Sequence, residues 1–298
     1  YQIATILFKQ FKNWPRAAAE YLALAERFPA HVRAPDALYT AGTALLNAEE
    51  FPAARAAFAR LAAKYPESRL ADDGQFWVGH SWEYGARALG QLDHKRIVLR
   101  RRGLRSAAAL RADLALRRLY FPAAKALADA PGDALNVFAE GATRDRVTAE
   151  LVQAIAAYRA VVDRFKTGDM AGPALLRIGA IHDQYLNDPD QAILAYQELL
   201  EHYPGSKQAV DALFQVGSHH LGKQRYAEAV KAYQQFIYTY PTEAKVEDAM
   251  IAVARCHAAA KAWDKALDAY QGYLAKFPQG KLVDTARTQV EWIRMYHF

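Results

Sequence analysis

Three histidines, His182, His220 and His257, stand 38 and 37 residues apart, a spacing that raises the chemistry of a metal ladder. A zinc-bound imidazole nitrogen lies about 2 Å from its ion. Equivalent residues on successively packed helices lie roughly 10 Å apart, the spacing of the helix axes. The column therefore reads as packing. His219 and His220 are adjacent, and neighbours on a helix point away from each other. Cys256 is the single cysteine, and ARCHAAA around it holds neither a haem-attachment nor a dithiol motif. No glycine-rich phosphate loop, nucleophile elbow or HExxH occurs. The acid pairs Asp72–Asp73 and Asp188–Asp190 stand where helices begin, and capping accounts for them. No catalytic residue, cofactor, metal or small-molecule substrate is called for, so the expectation is a non-catalytic protein.

The strongest remaining chemistry is charge. HKRIVLRRRGLR, residues 94–105, holds Lys95, Arg96, Arg100, Arg101, Arg102 and Arg105 and no acid. Such a run suits an acidic protein partner. An anionic membrane surface also fits, with Ile97, Val98 and Leu99 able to insert. Nucleic acid fits least, because no aromatic ring interleaves with the basic residues.

The elements that carry these residues follow from a repeat. The 298-residue chain is 52% hydrophobic with a net charge of +6, which suits folded structure. No run approaches the roughly 18 apolar residues that span a bilayer. The opening YQIATILFKQF reads as the middle of a helix without an initiating Met, so the N-terminus is expected to be trimmed. Rings recur at Phe28, Tyr65, Phe165, Tyr203, Tyr240 and Phe277, in steps of 37, 100, 38, 37 and 37. Eleven residues earlier stand Ala17, Ala54, Ala154, Ala192, Ala229 and Ala266. Seven earlier stand Tyr21, Phe58, Tyr158, Tyr196, Tyr233 and Tyr270. Fourteen later come Gly42, Gly79, Gly179, Gly217 and Ala254. Small residues let two helices approach closely, and a ring four residues after the Ala lies on the same face. Pro after five of the six closing rings ends the helix. Asp36, Asp72, Asp211 and Asp248 suit the positive end of the next helix. Each unit is thus a helical hairpin that buries its core only by stacking on neighbours.

These columns resemble the tetratricopeptide repeat, whose pattern is matched by Gly217, His220, Ala229, Tyr233 and Pro241. The resemblance implies an all-α solenoid of six helical hairpins plus a terminal helix, acting as a scaffold or adaptor for other protein subunits. Three residues added after the Pro, as in PTEAKVEDAM, make the longer repeat. That form is similar to bacterial outer-membrane assembly lipoproteins and the periplasmic partner of the Tol–Pal system. It implies a periplasmic or outer-membrane-associated setting. By the family pattern the first helices line a groove, at Thr40, Thr43, Asn47, Trp77, His80, Tyr84, Arg177, Gln184, Gln215, Ser218 and Arg255. The Lys/Asn/Arg clamp by which chaperone-binding members hold a terminal carboxylate is not reproduced.

The 100-residue step is one repeat plus 63 residues. It predicts repeats over 1–85 and 149–298, with a segment over 86–148 inserted between the two helices of the third hairpin, expected at 69–85 and 149–165. The insert carries 13 Lys and Arg against six acids, a net +7 that leaves −1 for the repeats. It is expected to be a helical excursion with a poorly ordered basic lead-in, and to be the docking element. The alternative is a basic surface that binds nucleic acid or anionic lipid through 86–148. The last helix, 281–298, presents Val290, Trp292, Ile293 and Met295, a face expected to need further chain or a partner to cover it.

Overall fold

The computed structural model describes residues 1–101 and 140–297. Its elements in chain order are α1 (Gln2–Lys9), α2 (Trp14–Arg27), α3 (Ala34–Asn47), α4 (Phe51–Lys64), α5 (Ala71–Arg101), α6 (Glu140–Arg164), α7 (Ala171–Gln184), α8 (Pro189–His202), α9 (Lys207–Gly222), α10 (Tyr226–Thr239), α11 (Val246–Ala259), α12 (Trp263–Lys276) and α13 (Val283–His297). No strand occurs among the described residues. The fold is all-α, an α-solenoid type built of consecutive helical hairpins. The described residues form two compact units, Tyr1–Arg177 and Ile178–Phe298.

The repeat columns have a more specific cause than close helix approach alone. All six column alanines are fully buried, and so, nearly, are the six rings that follow them. Each column glycine lies beneath the ring of its own hairpin partner. A Cβ on Gly42 would meet Phe58 at 2.6 Å, one on Gly79 would meet Tyr158 at 2.8 Å, and one on Gly217 would meet Tyr233 at 2.9 Å. Gly179 stands in the same relation to Tyr196. The ring occupies the volume a side chain would need, so glycine on one helix and a ring on the other are one packing feature.

The connections between hairpins repeat in detail. Every closing ring accepts a hydrogen bond through its carbonyl from the residue three positions on: His31, Ser68, Gly168, Ser206, Glu243 and Gly280 donate to Phe28, Tyr65, Phe165, Tyr203, Tyr240 and Phe277. A second such turn follows at once and delivers the chain to the next helix, as in Ala34 N–H to His31 O. The three added residues per repeat build this double turn. The turn inside a hairpin uses a residue with positive φ: Lys12 at 49°, Glu49 at 59°, Asn187 at 52°, Gln224 at 59° and Lys261 at 58°. All lie five residues before a column alanine. The third hairpin has its equivalent, Ala149, inside α6.

That hairpin departs from the expected bounds. Its first helix was expected to end near 85 and continues unbroken to Arg101. Its second begins at Glu140, ahead of the expected 149. The two run 31 and 25 residues, against 14 in α2 or α4. At 1.5 Å per residue α5 is about 46 Å long. The basic lead-in is therefore helical as far as Arg101, where a poorly ordered stretch was expected. α5 packs against α4 and α6. Arg102, Arg105 and the further helices expected in the insert lie outside the described residues.

Three of the four acids expected at helix starts stand in first turns, Asp72 in α5 among them. Asp36 and Asp248 lie in the first turns of α3 and α11, but Asp211 is a full turn inside α9. Each is paired with a cation just before the next hairpin: Arg69 with Asp36 at 3.6 Å, Lys245 with Asp211 at 2.6 Å, and Lys281 with Asp248 at 2.8 Å. They tie one repeat to the next. Asp188 does cap α8, accepting from Gln191 N–H at 3.2 Å. In α13, Val290 and Ile293 are buried against the last hairpin, so half of its expected open face is core. Trp292, Met295 and Tyr296 are exposed.

Candidate functional site

The site begins with one residue on the buried face of α5. Glu83 stands four residues after Gly79, and so on the same helical face, turned into the hairpin. The matching position is Leu46 in the second hairpin, Asp183 in the fourth, Leu221 in the fifth and Ala258 in the sixth. Asp183 is half-buried, with a side-chain exposure of 33%, whereas Glu83 is 1% exposed. A buried charge is tolerated only when it is paired and hydrogen-bonded.

Glu83 has those partners. Arg87, one turn on, donates to Oε1 at 2.6 Å. Arg177 reaches in from α7 with both arms of its guanidinium, Nε donating to Oε2 at 3.1 Å and Nη2 to Oε1. This is the two-pronged geometry in which Arg binds carboxylate most strongly. Tyr158, the column ring of α6, donates its hydroxyl to Oε2 at 3.1 Å. That hydroxyl has one proton, so at 2.8 Å from His80 Nδ1 it accepts, which places the imidazole proton on Nδ1. Burial alone would raise the Glu83 carboxyl. The imidazole of His80, 3.6 Å away, and the guanidiniums of Arg177 and Arg87 outweigh it and hold the group at about 2. Burial and the Glu83 charge push the Tyr158 phenol up. Burial acts against the Arg177 cation, but Glu83 more than offsets it and raises that group. The ionised state of the cluster is thus stable across all ordinary pH.

Around this polar knot lies a run of rings. Trp77 stacks on Phe58 with centroids 6.1 Å apart, and its Nε1 donates to the Tyr39 hydroxyl at 3.0 Å. His80 lies 5.1 Å from Trp77 and 4.9 Å from Tyr84, and Tyr84 stacks on Phe51 at 6.4 Å. Trp77, His80, Tyr84 and Arg87 follow one another at three, four and three residues, which aligns them along one stripe of α5. Elsewhere on α5, Arg55 of α4 covers the Trp82 ring at 3.6 Å and donates to Ser81 O at 3.4 Å.

The expected groove residues thus divide. Trp77, His80, Tyr84 and Arg177 are brought together in the Tyr1–Arg177 unit. Thr40 and Thr43 turn their hydroxyls back onto the carbonyls of Asp36 and Tyr39, and Asn47 is exposed at the end of α3. In the Ile178–Phe298 unit, Gln184 and Arg255 are exposed. Gln215 and Ser218 are half-buried. Of the basic run, Lys95, Arg96, Arg100 and Arg101 lie on the helical continuation of α5. The residue sequence reasoning missed is Glu83, and the signal was its column, where leucine or alanine gives way to an acid in the third and fourth hairpins.

Among the described residues no group of three His, Cys, Asp or Glu converges on a metal position. His220 and His257 are half-buried, and burial lowers both imidazoles. Cys256 is a buried free thiol that burial pushes up to about 11, which leaves it protonated and unreactive. No described helix is long and apolar enough to cross a membrane.

Tetratricopeptide-repeat family models match residues 179–244, and residues 36–68 and 248–280. These segments are tetratricopeptide repeats. The match takes in the second, fifth and sixth hairpins and most of the fourth. Tetratricopeptide repeats are protein–protein interaction modules, and a non-catalytic scaffold is their typical role. No curated protein matches the chain. Among solved structures it is similar to BtubC (BKLC) from P. vanneervenii, at 14% identity and a TM-score of 0.46, over 98% of this chain and 94% of that one. It is similar to the APC/C hetero-tetramer Cut9–Hcn1, at 15% and 0.36, over 95% of this chain and 47% of that one. It is also similar to the C-terminal part of a TPR repeat-containing protein from Cytophaga hutchinsonii, at 13% and 0.35, over 97% and 98%.

Proposed function

We propose that this tetratricopeptide-repeat chain is a non-catalytic adaptor within a larger bacterial, envelope-associated assembly, and that it docks protein subunits through its third hairpin. The observation that carries the reading is the asymmetry of that hairpin. Five hairpins close in a short turn, whereas α5 and α6 run on into a segment, 86–148, that holds the chain's surplus of positive charge. A cationic segment in an otherwise near-neutral chain is a natural docking element for an acidic subunit, since complementary charge steers encounter and fixes register. The envelope setting rests on the long repeat with its ring–Pro closing turn.

The test is removal of that segment. Gly85 of α5 faces Glu150 of α6, so the helices are adjacent where the cut would fall, and a short glycine turn can replace residues 88–147. Affinity capture from native extract should recover protein subunits with the intact chain and lose them with the shortened one. Partners that survive the deletion would show that the insert is not the docking element. Recovery of nucleic acid or anionic lipid in place of protein, with steep loss on adding salt, would favour a basic surface binder.

A further inference from the structure

We propose that His219 makes the joint between the fourth and fifth hairpins sensitive to mild acid, because its ring takes up a proton readily only when α9 parts from α8. The inference concerns the Ile178–Phe298 unit and stands apart from the docking role of 86–148. Its first support is burial. The His219 side chain is 10% exposed, and its Nε2 is buried without a hydrogen-bond partner among the described residues. The ring lies flat on Tyr196 of α8, with centroids 5.9 Å apart and planes 9° from parallel. A neutral imidazole donates from one nitrogen and can leave Nε2 as a bare acceptor, whereas an imidazolium donates from both. Charging His219 in place buries an N–H with nothing to receive it, a cost that separation of the two helices removes.

The second support is the set of groups around the ring. Burial holds the His219 imidazole below its ordinary value. Asp183 of α7 favours the cation, but it lies 3.6 Å from Nδ1 and leaves Nε2 unserved. Lys223, just past the end of α9, opposes the cation. Burial also lowers the neighbouring His220, where Glu228 and Asp190 favour the cation and Arg225 and His219 oppose it. Asp190 of α8 is already paired with Lys223, and with Arg225 at 3.5 Å. A group lowered in the folded chain binds its proton more readily once freed. The stability tied to His219 is therefore present above the ordinary 6.5 and lost as pH falls below it. The third support is position. Gln215 and Ser218 lie on α9 within about one turn of His219, and Gln184 follows Asp183 on α7. Acid thus acts on helices that carry positions expected to line the groove.

The experiment follows amide hydrogen exchange of the full chain at about pH 7.5 and about pH 5, resolved by peptide and corrected for the intrinsic rate. Protection in α8 and α9 should be lost at the lower pH, while α3 and α4, which hold no histidine, keep theirs. His219→Phe leaves a ring on Tyr196 that cannot charge, and it should keep α8 and α9 protected at both pH values. His220→Gln should leave the acid loss in place. Imidazole proton NMR of the unaltered chain gives a second reading that does not depend on a variant folding: His219 should titrate below 6.5. Four results would overturn the proposal: equal protection of α8 and α9 at both pH values, an equal loss in α3 and α4, a His219 midpoint at or above 6.5, or a loss that survives in folded His219→Phe. A loss that disappears in His220→Gln would also overturn it, by moving the switch to the neighbouring ring.

Discussion

Glu83 shows how a single residue converts a packing position into a polar one. In the second, fifth and sixth hairpins the position is leucine or alanine, and hydrophobic burial is enough. Here the carboxylate is buried, with Arg87, Arg177 and Tyr158 hydrogen-bonded to it and His80 hydrogen-bonded in turn to Tyr158. Removing one partner of such a cluster leaves the others without a counter-charge. Glu83→Gln should destabilise the folded chain by about 3 kcal/mol, read as a lower midpoint in chemical denaturation at neutral pH. The pH dependence has a definite sign. The folded carboxyl titrates at about 2, below the ordinary 4.5. The native state therefore binds its proton later than the unfolded chain does. Its stabilisation is present in full above about pH 4.5 and is lost as pH falls from there to about 2. The Glu83→Gln chain should lack this acid-dependent component. An equal loss in both chains over that window would contradict the assignment.

At the scale of elements, most of the architecture was legible before any coordinates. The Ala and ring columns identify second helices, and the glycines identify first helices, because their spacing is fixed by one packing contact that recurs. Gly42 beneath Phe58 and Gly217 beneath Tyr233 are that contact. The turns inside the hairpins were not legible. Lys12, Glu49, Asn187, Gln224 and Lys261 all adopt positive φ, yet only Asn is a residue type that signals it. Context imposes the conformation, and the chain accepts the steric cost. That cost is recoverable. Gln224→Gly should raise stability by about 0.5–1 kcal/mol, seen as a higher denaturation midpoint, since glycine adopts this conformation without a Cβ penalty. A lower midpoint would show that the Gln224 side chain contributes more than its backbone strain costs. The continuation of α5 past 85 and the helical residues of α6 ahead of 149 were also missed. Composition marked where the repeat pattern stops, and a helix has no need to stop there. Glu83 was passed over for a related reason: a lone acid in a charged chain stands out only when hairpins are aligned column by column.

For the whole molecule, charge and repeat are segregated. The hairpins supply a repeated core that carries little net charge, and the departure from repetition coincides with the basic surplus between 86 and 148. In the Tyr1–Arg177 unit, that departure begins on the same helix that carries the aromatic stripe and the Glu83 cluster. The most direct measurement is amide hydrogen exchange on the full chain, alone and in its native complex, resolved by peptide. The expected result is protection on binding concentrated in α5 and α6, from Trp77 through Arg101 and from Glu140 toward Tyr158. Protection confined to the hairpins of the Ile178–Phe298 unit, with α5 and α6 unchanged, would contradict the account.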